Sequence, residues 1–219
     1  MKMKKAHAFL ASLAANNSKE WMDANKKEYL SCKRDFEEFV KEILFGLEAF
    51  DPGIANEDPK KCIFRINRDV RFSANKDPYK TNFGAYMAIG GRTTGQPGYY
   101  IQIQPGNNFL GGGLYHPEAE SLKRIRQEID YNGDEFLEIV SNVNFKKTSP
   151  SAYDDRLKTV PKGYAKDHPN IDWLKYKSYA FMHGFSDEET HAADFPQRVV
   201  EIFKHLHPLI LFLRRGLDG

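Results

Sequence analysis

The sequence predicts a single α+β domain over residues 1–219, in which N-terminal and C-terminal helices pack on a central antiparallel sheet. Three observations predict this class. Apolar residues recur at helical spacing near both ends of the chain, alternating residues and turn residues fill the middle, and no linker or internal repeat divides it. The predicted helical parts are 1–50, 117–142 and 194–214, and the predicted sheet comprises 60–115 with one further strand at 176–185.

The N-terminal region is predicted to be helical. A short helix would place Phe9, Leu10 and Leu13 on one face. Asn17 is predicted to cap the next helix, in which Glu20 is the third residue, as in a variant capping box. A stripe of larger side chains then keeps near a 3.6-residue period and is interpreted as core packing: Trp21, Tyr29, Phe36, Phe39, Val40, Ile43 and Leu47.

The middle of the chain is predicted to form an antiparallel meander. Cys62 to Phe72 alternates with period two, with Arg68 as the one residue that breaks the apolar face. Turn residues separate the next strands, predicted over Phe83–Ile89 and Tyr99–Gln104. A hairpin turn then leads into a further strand that the triplet Gly111-Gly112-Gly113 is expected to interrupt, as a bend or as a close approach of backbone N–H groups to an anion.

Helices return after this meander. One begins at His116-Pro117-Glu118 and ends at Asn132-Gly133, and a short one covers Asp134–Val140. Residues 144–170 are predicted to be mostly loop, and a strand covers 176–185. Ser186 and Glu189 form a capping box, and Pro208 is expected to kink or split the last helix. The buried side of that helix is predicted to be Val199, Ile202, Phe203, Leu206, Ile210 and Leu213.

Composition and cysteine use exclude several classes of protein. Lys+Arg number 32 and Asp+Glu 30, and the resulting net charge of +2 argues against a protein that coats nucleic acid. No apolar run has transmembrane length, and the apolar stretch near the N-terminus is short and contains His7, unlike a signal peptide. Two cysteines, Cys32 and Cys62, exclude a disulfide framework and agree with a cytoplasmic location.

Neither a metal nor a cofactor is predicted. The sequence contains no His-Glu-x-x-His, no dinucleotide fingerprint and no P-loop. His205 and His207 are two residues apart on a predicted helix and therefore point in different directions. No membrane partner is expected, and the sequence does not predict an oligomeric state.

The densest chemistry lies in residues 65–80. On a strand, Arg65 and Arg71 would share one face with Asp69 between them, while Arg68 would lie on the apolar side. A desolvated guanidinium requires a carboxylate, several carbonyls or an anionic ligand, because an isolated buried charge is costly. Turn residues from Asn75 to Pro78 would bring later side chains back towards the strand end.

Three interpretations of this cluster stay open. The first is a site for a small phosphate- or carboxylate-bearing ligand, with these candidate binding residues: Arg65, Arg68, Arg71, Asn75, Lys76, Tyr79 and Lys80. Asp69, Tyr79 and His116 are the candidate acid–base groups if the protein is an enzyme, which the sequence leaves open. The others are a structural ion-pair network without catalysis and a weak nucleic-acid-binding surface.

The same segment carries a resemblance to a bacterial family of conserved hypothetical proteins. That family's signature has fixed residues that match Arg65, Arg68, Asp69, Arg71, Phe72, Asn75, Lys76 and Tyr79. Further landmarks resemble the family along most of the chain, including Phe9-Leu10, Asn16-Asn17, Lys80-Thr81, Tyr99-Tyr100, Phe109-Leu110-Gly111, Pro161-Lys162-Gly163 and Asp167-His168-Pro169. The family accepts an acid or an amide at the position of Asn75, so the resemblance implies no ionised carboxylate there. It implies relatives and no particular reaction.

Overall fold

The computed structural model describes residues 2–149 and 151–218, so Met1, Pro150 and Gly219 of the predicted domain lie outside the described residues. Its helices are α1 (Lys2–Ala15), α2 (Lys19–Ala24), α3 (Lys26–Leu47), α4 (Pro59–Cys62), α5 (Ala119–Tyr131), α6 (Gly133–Ser141), α7 (Val143–Thr148), α8 (Ile171–Leu174), α9 (Asp187–Thr190) and α10 (Phe195–Asp218). Its strands are β1 (Phe83–Ala88), β2 (Gly98–Ile103), β3 (Asn108–Leu114), β4 (Ser151–Ala152) and β5 (Tyr179–Phe185). The predicted α+β class, with helices at both ends, is confirmed.

The sheet is antiparallel throughout, in the order β1-β2-β3-β5-β4, so β3 is the central strand. The expectation that the glycine triplet interrupts β3 is wrong, because all three glycines pair with β2 on one side and β5 on the other. Their backbone groups are therefore engaged in the sheet rather than free for an anion. Gly112 lies under α10, where a Cβ would come within 3.0 Å of the Leu206 side chain. The small residues thus let the last helix approach the sheet closely.

The helices cover the sheet and bury one continuous hydrophobic core. The predicted apolar side of α10 is buried at every predicted position. Pro208 lies inside α10 without splitting it, contrary to one of the two expected outcomes. The Phe39 ring of α3 stacks on the Phe195 ring of α10 with centroids 5.5 Å apart, so the N-terminal and C-terminal helices share this core.

The predicted strand over Cys62–Phe72 does not form. Ile63 makes one isolated bridge to Ala85 of β1, and the chain then leaves the sheet edge. Burial does not follow the predicted alternation either, because Ile63 is buried while Phe64 is 37% exposed and Phe72 is 96% exposed. Phe72, at the far end of this pattern, therefore faces solvent, whereas Val70 is half-buried.

One smaller prediction is also corrected. The cap of α2 is Ser18, whose side chain accepts the Trp21 N–H, and not Asn17. The described part of 144–170 is mostly loop, as predicted, and the regular elements within it are most of α7 and the short strand β4. The capping box of Ser186 and Glu189 at α9 is confirmed.

A buried ion pair joins the turn after α3 to the last helix. The Arg214 guanidinium donates to both carboxylate oxygens of Asp51, at 2.8 and 2.9 Å, and the two residues are 8% and 1% exposed. The Tyr99 hydroxyl also donates to Asp51, at 3.0 Å, and lies 2.7 Å from Nδ1 of His207. This carboxylate is therefore neutralised and hydrogen-bonded entirely within the protein.

Candidate functional site

The sixteen-residue segment singled out by its arginines folds as a narrow hairpin beside β1. Asn67 bridges Tyr79, and the backbone bonds Arg68 N to Pro78 O (2.9 Å) and Lys80 N to Ile66 O (2.8 Å) close its base. The residues between these bonds form a projecting loop. The turn residues from Asn75 to Pro78 thus return the chain to its starting point, as the sequence indicates.

Arg68 lies at the base of this loop and holds it. Its guanidinium donates to the carbonyl of Asp77 at 3.0 Å and to the hydroxyl of Ser73 at 3.1 Å. Among the described residues no carboxylate forms an ion pair with it. Since a guanidinium has five N–H donors, and these bonds use one on each terminal nitrogen, donors remain for a further acceptor.

A cleft of about 250 Å³ opens beside Arg68. It is lined by Asn17, Arg68, Asn75, Asp77, Tyr79, Lys80, Thr81 and Asn82. Its walls therefore carry two cations, three amides, the Thr81 hydroxyl, one carboxylate and the backbone of Tyr79. The Asp77 carboxylate accepts a hydrogen bond from the Asn75 amide at 2.9 Å, which fixes both groups on one wall.

Asn17 fixes the opposite wall of the cleft. Its amide brackets the backbone of Tyr79, accepting from Tyr79 N at 3.1 Å and donating to Tyr79 O at 3.0 Å. Tyr79 is only 9% exposed, so its ring belongs to the core while its backbone borders the cleft. A residue predicted to be a helix cap thus positions the signature tyrosine.

An amide network supports the floor of the cleft. The Asn82 side chain donates to Gln102 at 3.0 Å, and Gln102 donates to Gln104 at 2.9 Å. The Gln104 amide reaches the Thr81 hydroxyl at 3.4 Å. The floor therefore rests on β2 and the turn that follows it, which are held by the sheet.

Lys80 borders the cleft on its other side, next to the half-exposed ring of Phe64. Its Nζ lies 5.3 Å from the centroid of that ring, and the Arg92 guanidinium lies 5.9 Å from the same centroid. Partial burial lowers the pKa of Lys80, and the positive charges of Arg65 and Arg92 lower it further. Lys80 is thus in a strongly electropositive environment.

Arg71 and Lys76 lie outside the cleft. Arg71 binds Asp69 through two bonds of 2.9 and 2.7 Å, and the pair is exposed to solvent. The Arg71 guanidinium lowers the pKa of the Asp69 carboxyl, so Asp69 stays ionised and cannot act as a proton donor near neutral pH. Lys76 donates to the carbonyl of Val70 at 3.0 Å, within the loop.

The structure brings some predicted site residues together and separates others. Arg68, Asn75, Tyr79 and Lys80 line the cleft, and Arg65 lies close enough to affect the pKa of Lys80. His116 follows the end of β3, whereas the cleft lies at the start of β1, and the antiparallel register puts these points at opposite ends of the sheet. The three candidate acid–base groups therefore do not form one site.

The sequence did not indicate the role of Asn17 in the cleft or that of Arg92 next to it. Asn17 is 62 residues from its partner Tyr79, and no local pattern connects them. Arg92 follows a glycine turn that indicated only a chain reversal. In the sequence, only the tract Lys80-Thr81 indicated the floor of the cleft, as a landmark of the family resemblance.

Other kinds of site are not built from the described residues. Between residues 2 and 218, with Pro150 left out, no group of three or more His, Cys, Asp or Glu side chains could hold a metal ion. Burial raises the pKa of the Cys32 thiol to about 11 and that of Cys62 to about 12, so both are poor nucleophiles. Over the same residues, every helix is too short or too polar to traverse a lipid bilayer.

The fold and the site together define an α+β protein whose arginine-rich hairpin borders a polar cleft. The chain belongs to the family described as conserved hypothetical protein (DUF2461), whose model matches residues 5–212. No curated protein matches the chain. No solved structure matches it either.

Proposed function

We propose that the protein binds a small anionic ligand, carrying a phosphate or a carboxylate group, in the cleft beside Arg68. The observation that carries this proposal is that Arg68 and Lys80 both border the cleft and neither forms an ion pair with a carboxylate of the described chain. A planar guanidinium with unused donors suits the oxygens of a phosphate or carboxylate, and a lysine adds a point charge.

The comparison with Arg71 supports this assignment. Arg71 belongs to the same signature, but its charge is paired with the Asp69 carboxylate. A structural ion-pair network would pair Arg68 in the same way, yet Arg68 contacts only a carbonyl and a hydroxyl. The network interpretation therefore accounts for Arg71 and does not account for Arg68.

Isothermal titration calorimetry with inorganic phosphate and with acetate tests the proposal, using the wild type, Arg68→Gln and Arg71→Gln. The two variants remove the same charge from the same hairpin. We expect Arg68→Gln to weaken binding of the preferred probe at least about tenfold, because it removes a charged hydrogen-bond donor. Arg71→Gln should change the affinity by less than about twofold, since that guanidinium is already neutralised.

Two outcomes contradict the proposal. One is the absence of binding by either probe to the folded wild type. The other is an equal loss in both variants, which would attribute binding to general surface charge. The two probes also separate a phosphate site from a carboxylate site.

A nucleic-acid surface is the second candidate, and one observation favours it. Phe72 is 96% exposed at the end of the loop, with the Arg71 guanidinium 5.7 Å from its ring. Exposed aromatic rings beside cations bind single strands by stacking. Filter binding of single-stranded DNA across a salt series tests this, and a steep salt slope that Phe72→Ala abolishes would favour it over the small ligand.

A further inference from the structure

Two cations lie against the ring of Phe64, and a third belongs to the adjacent residue. Lys80 Nζ and the Arg92 guanidinium both lie within 6 Å of the ring centroid, at 5.3 and 5.9 Å. Arg65 is the next residue in the chain, and its charge lowers the pKa of Lys80. We call Arg65, Lys80 and Arg92 the Phe64 cluster.

The Phe64 cluster has no directly paired carboxylate among the described residues. Within residues 2–149 and 151–218, no carboxylate forms an ion pair with any of its members. Arg92 donates to the carbonyl of Lys61 at 2.6 Å, which is a neutral acceptor. Like charges held together disfavour one another, and the contact with one aromatic ring compensates only part of that repulsion.

The acidic residues of this region bind other groups. Glu57 accepts a hydrogen bond from Gly90 N at 2.6 Å, and Asp58 caps α4 by accepting from Lys60 N at 2.9 Å. Asp69, whose pKa the charge of Arg65 helps to lower, forms its ion pair with Arg71. The direct contacts of the Phe64 cluster are therefore to neutral groups, which leaves its N–H donors open to an anionic group from outside the chain.

The geometry points to a ligand with two anionic groups, one in the cleft at Arg68 and one at the Phe64 cluster, with Lys80 between them. This inference rests on the proposed function and specifies its ligand class. Lys80 belongs both to the cleft lining and to the Phe64 cluster, so the two positions are adjacent. Diphosphates, bisphosphates and phosphorylated carboxylic acids share this chemistry, whereas a monophosphate would leave one group of cations unneutralised.

The test compares probes that carry one anionic group with probes that carry two. The ionic strength is about 0.15 M, where exposed charges more than about 8 Å apart are largely screened. Inorganic phosphate is the single probe, and pyrophosphate and a hexose bisphosphate are the double probes with short and long spacing. We expect the wild type to bind at least one double probe about tenfold or more tightly than phosphate.

Two double variants test whether the second anionic group of the ligand binds at the Phe64 cluster. In Arg65→Gln/Arg92→Gln the preference for the double probe should disappear, while the affinity for phosphate should stay within about twofold because Arg68 is intact. Arg65→Lys/Arg92→Lys should keep most of the preference, and Arg71→Gln should keep all of it. Retained phosphate binding shows that the double variant is folded.

The outcomes separate this inference from the proposed function. If phosphate binds and neither double probe is preferred, the two-anion inference is wrong and the cleft still binds an anion. A preference that survives in Arg65→Gln/Arg92→Gln also overturns it. If no probe binds to the wild type, both proposals fail.

Discussion

Two arginine environments in this molecule differ in where their counter-charge comes from. Arg214 is buried and meets both oxygens of Asp51, whereas Arg68 is half-buried and meets only neutral acceptors. Burial makes an internal partner essential for the first, because a desolvated charge must be neutralised within the protein. At the border of a cleft, the second keeps N–H donors available to an external anion. The two environments thus match a structural role for Arg214 and the binding role that we propose for Arg68.

The largest expected effect is the loss of the buried pair. Asp51→Asn leaves the Arg214 charge buried without a carboxylate, and we expect it to lower the free energy of unfolding by about 3–5 kcal/mol. Urea denaturation followed by circular dichroism measures this. Arg215→Gln is the matched control, because Arg215 contacts Glu128 and Glu135 at the surface and should contribute about 1 kcal/mol or less. Equal decreases in the free energy of unfolding of Asp51→Asn and Arg215→Gln would show that the buried pair stabilises the protein no more than the surface pair does.

A pH titration tests the buried environment of Arg214 through His207, whose Nδ1 contacts the Tyr99 hydroxyl beside Asp51. Burial lowers the pKa of His207 and Arg214 lowers it further, although Asp51 acts in the opposite direction. The ionised Asp51 only accepts hydrogen bonds, so Tyr99 donates to it and Nδ1 of a neutral His207 carries the proton towards Tyr99.

The sign of the effect follows from this lowered pKa. The unfolded chain takes up the His207 proton below about pH 6.5, before the folded protein does, so stability declines as the pH falls below that value and levels off below the folded pKa. Thermal melts between about pH 7.5 and about pH 5 should show a smaller decline in His207→Gln than in the wild type. An identical decline in the two proteins would contradict the lowered pKa, and His205→Gln serves as the control.

The smallest expected effect concerns Arg68 itself. Arg68→Gln removes two hydrogen bonds to neutral groups at a half-exposed position, and we expect it to lower the free energy of unfolding by about 1 kcal/mol. Chemical denaturation of this variant beside Asp51→Asn provides the measurement. A loss as large as that of Asp51→Asn would make Arg68 a structural arginine and weaken the proposed function.

The sequence predicted the helices and the β1–β2 turn because the spacing of apolar residues and the turn residues, both local features, determine these elements. The spacing of Val199, Ile202 and Leu206 identified the buried face of α10, and turn residues separated β1 from β2. The alternation over Cys62–Phe72 failed because alternation alone does not supply a partner strand. After Ile63 the chain leaves β1, and Phe72 then lies in a loop.

The candidate site was predicted only in part, for a related reason. The density of charge located the hairpin, but the distinction between Arg68 and Arg71 depends on the acceptors in three dimensions, which are neutral groups for Arg68 and a carboxylate for Arg71. The pair of Asp51 and Arg214 joins residues 163 apart, and Arg92 reaches Phe64 from another turn. No spacing rule connects such positions, because tertiary packing alone brings them together.

The amide clamp of Asn17 on Tyr79 also sets an order of assembly. Its two members are 62 residues apart in the chain, so closing this contact requires a long loop to lose entropy before the wall of the cleft exists. The wall of the cleft therefore depends on a contact of long sequence separation, unlike the helices on either side of it, whose hydrogen bonds are local.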